Sequence, residues 1–218
     1  PEFSGAHNNF GNVYTHLGQL DKALESYQKA ILLEPNFVEA HNNFGNVLKD
    51  LGNYSEAVKS YNQAILIQPE FAEAHNNLGT ILSKDLGKPL EAIESFRRAV
   101  KINPNFAIAY NNLGNVLRDL DQFDDALKSY EMALSIEPDL ENVLGNILAT
   151  KMNFCNWDKL SNLIDLARLK IIESKKAIEP FTMSALMDDP ALQRKAAEIR
   201  INSEHPINKE LPLIESYS

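Results

Sequence analysis

An eight-residue segment recurs along the chain at a period that leaves few folds open. Ala6-His7-Asn8-Asn9-Phe10-Gly11-Asn12-Val13 reappears unchanged at residues 40–47, and with small edits at 74–81 and 109–116. The offsets are 34, 34 and 35 residues. The odd one arises because Lys84-Asp85-Leu86-Gly87 stands one residue later in its repeat than Lys49-Asp50-Leu51-Gly52. Pro35, Pro69, Pro104 and Pro138 punctuate the same period. A period of this length belongs to repeat architectures, in which each unit buries its apolar face only by stacking on its neighbours.

Each unit reads as two helices. Ala40, Phe44, Val47, Leu48 and Leu51 keep the helical spacing of a first helix. Gly18, Gly52, Gly87 and Asp121 end the first helices. The second helix of repeat two is predicted over Tyr54–Ile67, stopping before its proline because the residue preceding proline avoids the α region. Gly11, Gly45, Gly79 and Gly114 fall inside first helices, where glycine costs about 1 kcal/mol relative to alanine. Close helix–helix approach is the expected reason, with Ala23, Ala57, Ala92 and Ala126 as the small partners.

These residues resemble a tetratricopeptide repeat array. Phe44, Gly45, Leu48, Ala57, Tyr61, Ala64 and Pro69 fall on that family's pattern, as do Leu78, Gly79, Leu82, Ala92, Phe96, Ala99 and Pro104. The family's frequent tryptophan slot holds His7, His41, His75 and Tyr110. The resemblance implies an all-α, right-handed superhelical solenoid with C-terminal capping and linker helices. Residues 1–138 hold four repeats, at about 4–37, 38–71, 72–106 and 107–140. Residues 141–178 form a degenerate fifth repeat, with Leu148 in place of the glycine, and a capping helix. Residues 179–218 form a helical linker and mobile tail. Pro1-Glu2-Phe3 sits in register with Pro69-Glu70-Phe71, which suits either the tail of an earlier repeat or a cloning scar. The array starts without the polar cap that solenoids need, so a fragment of a longer protein is expected.

After Met152 the period breaks. A long capping helix is expected from Trp157 to about Lys175, and a short helical turn at Phe181 to Leu186. Asp189-Pro190 supplies an N-cap and a first-position proline for another helix running to about Ile201. The remaining residues, Asn202 to Ser218, read as an extended tail. Cys155-x-Trp157, Pro180-Phe181 and Asp188-Asp189-Pro190-x-Leu192-Gln193 resemble the linker of O-linked N-acetylglucosamine transferases and their bacterial relatives. That likeness implies a substrate-selecting arm whose UDP-sugar-dependent catalytic region would begin after Ser218. No catalytic residue and no cofactor-binding residue is carried over to this chain.

In the resembled families three first-helix positions point into a concave groove. Here they hold Asn8, Asn9 and Asn12; Asn42, Asn43 and Asn46; Asn76, Asn77 and Thr80; Asn111, Asn112 and Asn115, with Asn146 continuing the middle series. Asparagine is a mediocre helix former, so this density calls for an offsetting gain. Primary amides match the N–H and C=O of an extended peptide backbone. The candidate peptide-binding residues are therefore Asn9, Asn43, Asn77, Asn112 and Asn146, followed by Asn12, Asn46 and Asn115. The structural alternative is that these amides bond between adjacent helices. Asparagine also fills the lysine slot of a chaperone-type carboxylate clamp, which argues against that adaptor mode.

Composition excludes other classes. With 21 basic and 30 acidic residues the net charge is −9, and no basic patch hides in either part of the chain, which argues against nucleic acid as a partner. One cysteine permits no internal disulfide and no cysteine-based zinc site. The per-repeat histidines give way to Tyr110 and Leu144, as packing positions do, so no metal is expected. No apolar run approaches the roughly 18 residues of a membrane span, and a cytoplasmic setting is the default. The expected partners are proteins or peptides, with self-association through exposed repeat ends as a further possibility. A stand-alone scaffold or adaptor with no enzymatic region is the alternative to the transferase arm.

Overall fold

The computed structural model describes residues 3–153, 160–173 and 188–204. Among these residues there are eleven helices and no strand. They are α1 (Ser4–His16), α2 (Leu20–Leu33), α3 (Val38–Asp50), α4 (Tyr54–Ile67), α5 (Ala72–Lys84), α6 (Pro89–Ile102), α7 (Ala107–Asp119), α8 (Phe123–Ile136), α9 (Val143–Asn153), α10 (Leu160–Ile172) and α11 (Pro190–Glu204). The chain divides into two compact units, Pro1–Ser129 and Tyr130–Ser218, with the division inside α8.

In the first unit the helices pack as hairpins, α1 on α2, α3 on α4 and α5 on α6. Each second helix also packs on the next first helix, and α1, α3, α5 and α7 touch in sequence as one layer. The turn after each first helix follows from backbone chemistry. Gly18 and Gly52 take φ of 68° and 77°. The following Gln19 and Asn53 amides then reach back to the carbonyls of Tyr14 and Leu48 at 2.9 and 2.8 Å. This 6→1 bond of a Schellman cap satisfies a carbonyl the helix leaves open. Asp121 does the same at φ 58° without being glycine. In repeat three the extra residue stretches the closure, so that Lys88 N–H reaches Leu82 O at 2.7 Å across Gly87. Entry to the next repeat is closed by Phe37, Phe71 and Phe106, whose amides bond the carbonyl three residues back at 3.0–3.1 Å.

The in-helix glycines have a different partner from the one expected. A β-carbon on Gly11, Gly45 or Gly79 would meet the ring of Tyr27, Tyr61 or Phe96 at 2.4, 2.7 and 2.8 Å. Ala23, Ala57 and Ala92 are fully buried, but the aromatic ring of the second helix is what occupies the glycine's missing side chain. The core of the unit is thus a ring seated on a glycine in each hairpin. On α1 the matching apolar face stays open, with Phe10, Val13 and Leu17 exposed where Val47 and Ile81 are buried.

The second unit packs α9 on α10 and α10 on α11. Leu144, Leu148, Ala167, Ile171 and Ala196 form its core, with Leu160, Leu163 and Leu192 against it. Lys170 is buried along its stem and donates to Asp139 Oδ1 at 2.5 Å. Asp189 caps α11 through Oδ1, which accepts the amides of Ala191 and Leu192 at 3.1 and 3.2 Å. That helix runs on to Glu204, so residues 202–204, expected in the tail, are helical. Cys155, Trp157, Pro180 and Phe181 lie outside the described residues, as does the chain from 205 onward. No described helix is long and apolar enough to cross a membrane.

Candidate functional site

The asparagine-rich turn of α1, α3 and α7 places two amides on one face, a turn apart, and a third beside them; on α5 Thr80 takes the place of the second. Asn8 and Asn12 are the i and i+4 pair of α1, with Asn9 adjacent, and α3 repeats this with Asn42, Asn46 and Asn43. The first member is half-buried in repeat four, at Asn111, and buried in repeats one to three, where Asn8, Asn42 and Asn76 are 8%, 6% and 7% exposed. Their side-chain oxygens need donors, and the next repeat supplies them. Asn43 Nδ2 donates to Asn8 Oδ1 at 3.2 Å and to Asn12 Oδ1 at 3.3 Å. Asn77 Nδ2 donates to Asn42 Oδ1 at 2.9 Å, and Asn112 Nδ2 to Asn76 Oδ1 at 3.0 Å. The middle series is therefore an inter-repeat lattice in its own right.

The third series bonds within each hairpin. Tyr27 donates its hydroxyl to Asn12 Oδ1 at 2.7 Å, and Tyr61 to Asn46 Oδ1 at 2.8 Å. In repeat three both partners change together: Thr80 replaces the asparagine and its hydroxyl turns to Asn76 O at 2.9 Å, while Phe96 has no hydroxyl to give. The paired residues stand 15 apart in repeats one and two, a covariation visible in the sequence that periodicity alone does not pick out.

Burial pushes the Tyr61 phenol far above the ordinary tyrosine range, and the nearby Asp50 and Asp85 carboxylates add to it. Tyr27 is raised for the same first reason, partly offset by its bond with Thr15. A raised phenol holds its proton more tightly folded than unfolded, so its stabilisation is complete below the unfolded value of about 10 and is lost as pH rises toward the folded one. Stability is accordingly expected to fall above about pH 10. Tyr61→Phe should lower stability at neutral pH by about 1 kcal/mol, through the donor lost to Asn46, and flatten the alkaline limb. Urea midpoints measured from pH 7 to 11 check both; an unchanged alkaline slope in the variant would show that Tyr61 is not the titrating group.

Several candidate residues are placed as follows. Asn9 is exposed on α1. Asn43, Asn77, Asn112, Asn46 and Asn115 are half-buried on α3, α5 and α7. Asn146 is half-buried on α9, in the second unit, where its carbonyl accepts the Thr150 hydroxyl at 2.7 Å. The histidine slot is a turn lock: His41 and His75 place Nε2 at 2.8 and 3.0 Å from the carbonyls of Pro35 and Pro69.

The lattice uses the amides unequally: Asn43 gives Nδ2 to both Asn8 and Asn12 and accepts from Asn42, whereas Asn77 and Asn112 keep a donor in hand. A primary amide carries two N–H donors and one carbonyl oxygen. Asn77 and Asn112 each give one donor to the preceding repeat. Those bonds orient the Asn77 and Asn112 amides and leave each a second N–H on a half-buried side chain.

Known proteins of this kind are readily found. The family model described as "TPR repeat" matches residues 11–52, 45–85 and 84–121, and that described as "Tetratricopeptide repeat" matches 107–140. Among solved structures, MamA is 26% identical with a TM-score of 0.67, over 75% of this chain and 95% of that one. YrrB, described as a TPR protein with an unusual peptide-binding site, is 24% identical with a TM-score of 0.62, over 90% and 93%. The pilF protein of Pseudomonas aeruginosa is 17% identical with a TM-score of 0.71, over 93% and 92%. No curated protein matches the chain.

Proposed function

Because the chain belongs to the tetratricopeptide repeat family, we propose that it is a protein–protein interaction domain whose first-helix layer captures extended peptide segments by their backbone. The observation that carries this reading is the part-used amide lattice. Asn43, Asn77 and Asn112 are oriented by bonds to the preceding repeat, so holding a peptide costs them little further rotamer entropy. Asn9, exposed at the start of the same series, is its outer member; Asn146 follows the series in sequence and lies in the second unit. Asn12 acts through Asn43, which donates to it, and Asn46 and Asn115 are the further members of the site on α3 and α7. The peptide-binding site for which YrrB is named supports the class of ligand.

The sequence motifs between Cys155 and Gln193 support a narrower context, a substrate-selecting arm like that of the O-linked N-acetylglucosamine transferases. The stand-alone scaffold is the other context. Within this chain both reduce to the same act of binding, and a UDP-sugar belongs only to a catalytic region outside it.

Backbone capture has a distinctive test that leaves the protein unaltered. A panel of fluorescent extended peptides is titrated with the protein, each beside a scrambled version and one N-methylated at alternate residues. Scrambling is expected to change Kd by less than about tenfold, and N-methylation to abolish binding, because it removes backbone donors without changing side chains. Binding that survives N-methylation, or no binding by any peptide, overturns the proposal.

A further inference from the structure

Three of the positions at which repeat three departs from its neighbours line one cavity. Thr80 stands in the slot of Asn12 and Asn46, and Phe96 in that of Tyr27 and Tyr61. Lys84 is the last residue of α5, the position filled by Asp50 in α3 and Asp119 in α7. The inserted residue accounts for the third change: it moves the acid, Asp85, out of the helix to its C-cap, where its carboxylate takes the Tyr54 hydroxyl. The result is a cavity of about 150 Å³ bounded by Thr80, Lys84, Phe96, Asn112, Val116 and Asp119. That volume accommodates a benzene-sized group, and so the end of one side chain.

Its charge is set by what pairs with what. Arg118 holds the Asp119 carboxylate through Nε and Nη2 at 3.2 and 3.1 Å. Lys49 and Asp50 pair at 3.4 Å. Lys84 is exposed and forms no ion pair among the described residues. The lining therefore carries one cation without an ion-pair partner, Lys84, and one carboxylate, Asp119, already held by Arg118, beside the apolar Phe96 and Val116.

We propose that this notch is a subsite for the carboxylate of one acidic side chain in a peptide bound along the first-helix layer. The side-chain methylenes lie on Phe96 and Val116. The carboxylate accepts from Lys84 Nζ and from the Asn112 N–H not given to Asn76. The subsite rests on the peptide-binding reading above and adds to it one position of side-chain selection in an otherwise sequence-tolerant layer.

The test is a glutamate scan: a binding peptide made of glutamine and alanine, with a single glutamate moved through each position. Wild type is expected to favour one register of glutamate over glutamine by roughly tenfold. The double variant Thr80→Asn with Phe96→Tyr rebuilds the asparagine–tyrosine bond of repeats one and two and fills the notch. It should bind the all-glutamine peptide as before and lose the glutamate preference. Lys84→Ala, an exposed change that leaves the core untouched, should lose the preference as well, which guards against misfolding of the double variant. Binding with no glutamate preference in wild type, or a preference that survives both variants, overturns the subsite alone. Failure of every peptide to bind wild type overturns the peptide-binding reading and the subsite with it.

Discussion

Replacing Asn43, Asn77 and Asn112 together by alanine is expected to lower stability by about 1–7 kcal/mol. Each change strips the donor from a side-chain oxygen of Asn8, Asn42 or Asn76, all of them buried. A buried acceptor left unsatisfied costs about 1–3 kcal/mol, while alanine's better helix propensity returns at most about 0.7 kcal/mol per site. The lattice term wins. Read from the sequence alone, the same substitutions are neutral or slightly stabilising, since propensity is then the only effect in view. Urea unfolding of the single and triple variants decides the sign. A paired change sharpens it: Asn42→Ala added to Asn77→Ala removes the orphan along with the donor, so the double variant should recover part of the loss. A triple variant with a midpoint at or above wild type would show that these amides serve the solvent-facing layer alone.

Much of the fold is written locally. The 34-residue period, the pre-proline stop of α4 at Ile67 and the Asp189 cap of α11 each depend on residues within a few positions of one another. The amide lattice is less legible, because Asn77 and Asn42 meet only once α3 and α5 pack, 35 residues apart. Helix periodicity shows that both share a layer and says nothing of which one is buried. The glycine partners are hard to read from sequence for a related reason. A glycine in a helix announces close approach, but whether an alanine or a ring fills the space depends on the rotation of the second helix. Tyr27, Tyr61 and Phe96 lie four residues beyond the alanines, on the same face. Lys84 is hard to read from sequence because the one-residue insertion disguises its register: by sequence it aligns with Lys49, by helix position with Asp50.

That ring-on-glycine packing sets up a graded response between repeats two and three. Gly45→Ala places a β-carbon 2.7 Å from the Tyr61 ring, which is fully buried and tethered through its hydroxyl to Asn46. The ring cannot retreat without giving up that bond, so the overpacking is expected to cost about 2–3 kcal/mol, net of a gain of about 1 kcal/mol from replacing helical glycine. Gly79→Ala makes a similar contact, 2.8 Å from Phe96, but that ring has no hydroxyl tether and borders the cavity beside Thr80. Phe96 can tilt into the cavity, and the expected loss is under about 1 kcal/mol because the propensity gain offsets most of the strain. Tyr61→Phe in the Gly45→Ala background frees the ring and should therefore cost less than it does in wild type. Thermal and urea unfolding of the variants would show the ordering. If Gly79→Ala proves the more damaging, the cavity is not available to the ring, and free space beside Phe96 ceases to explain how repeat three differs from repeat two.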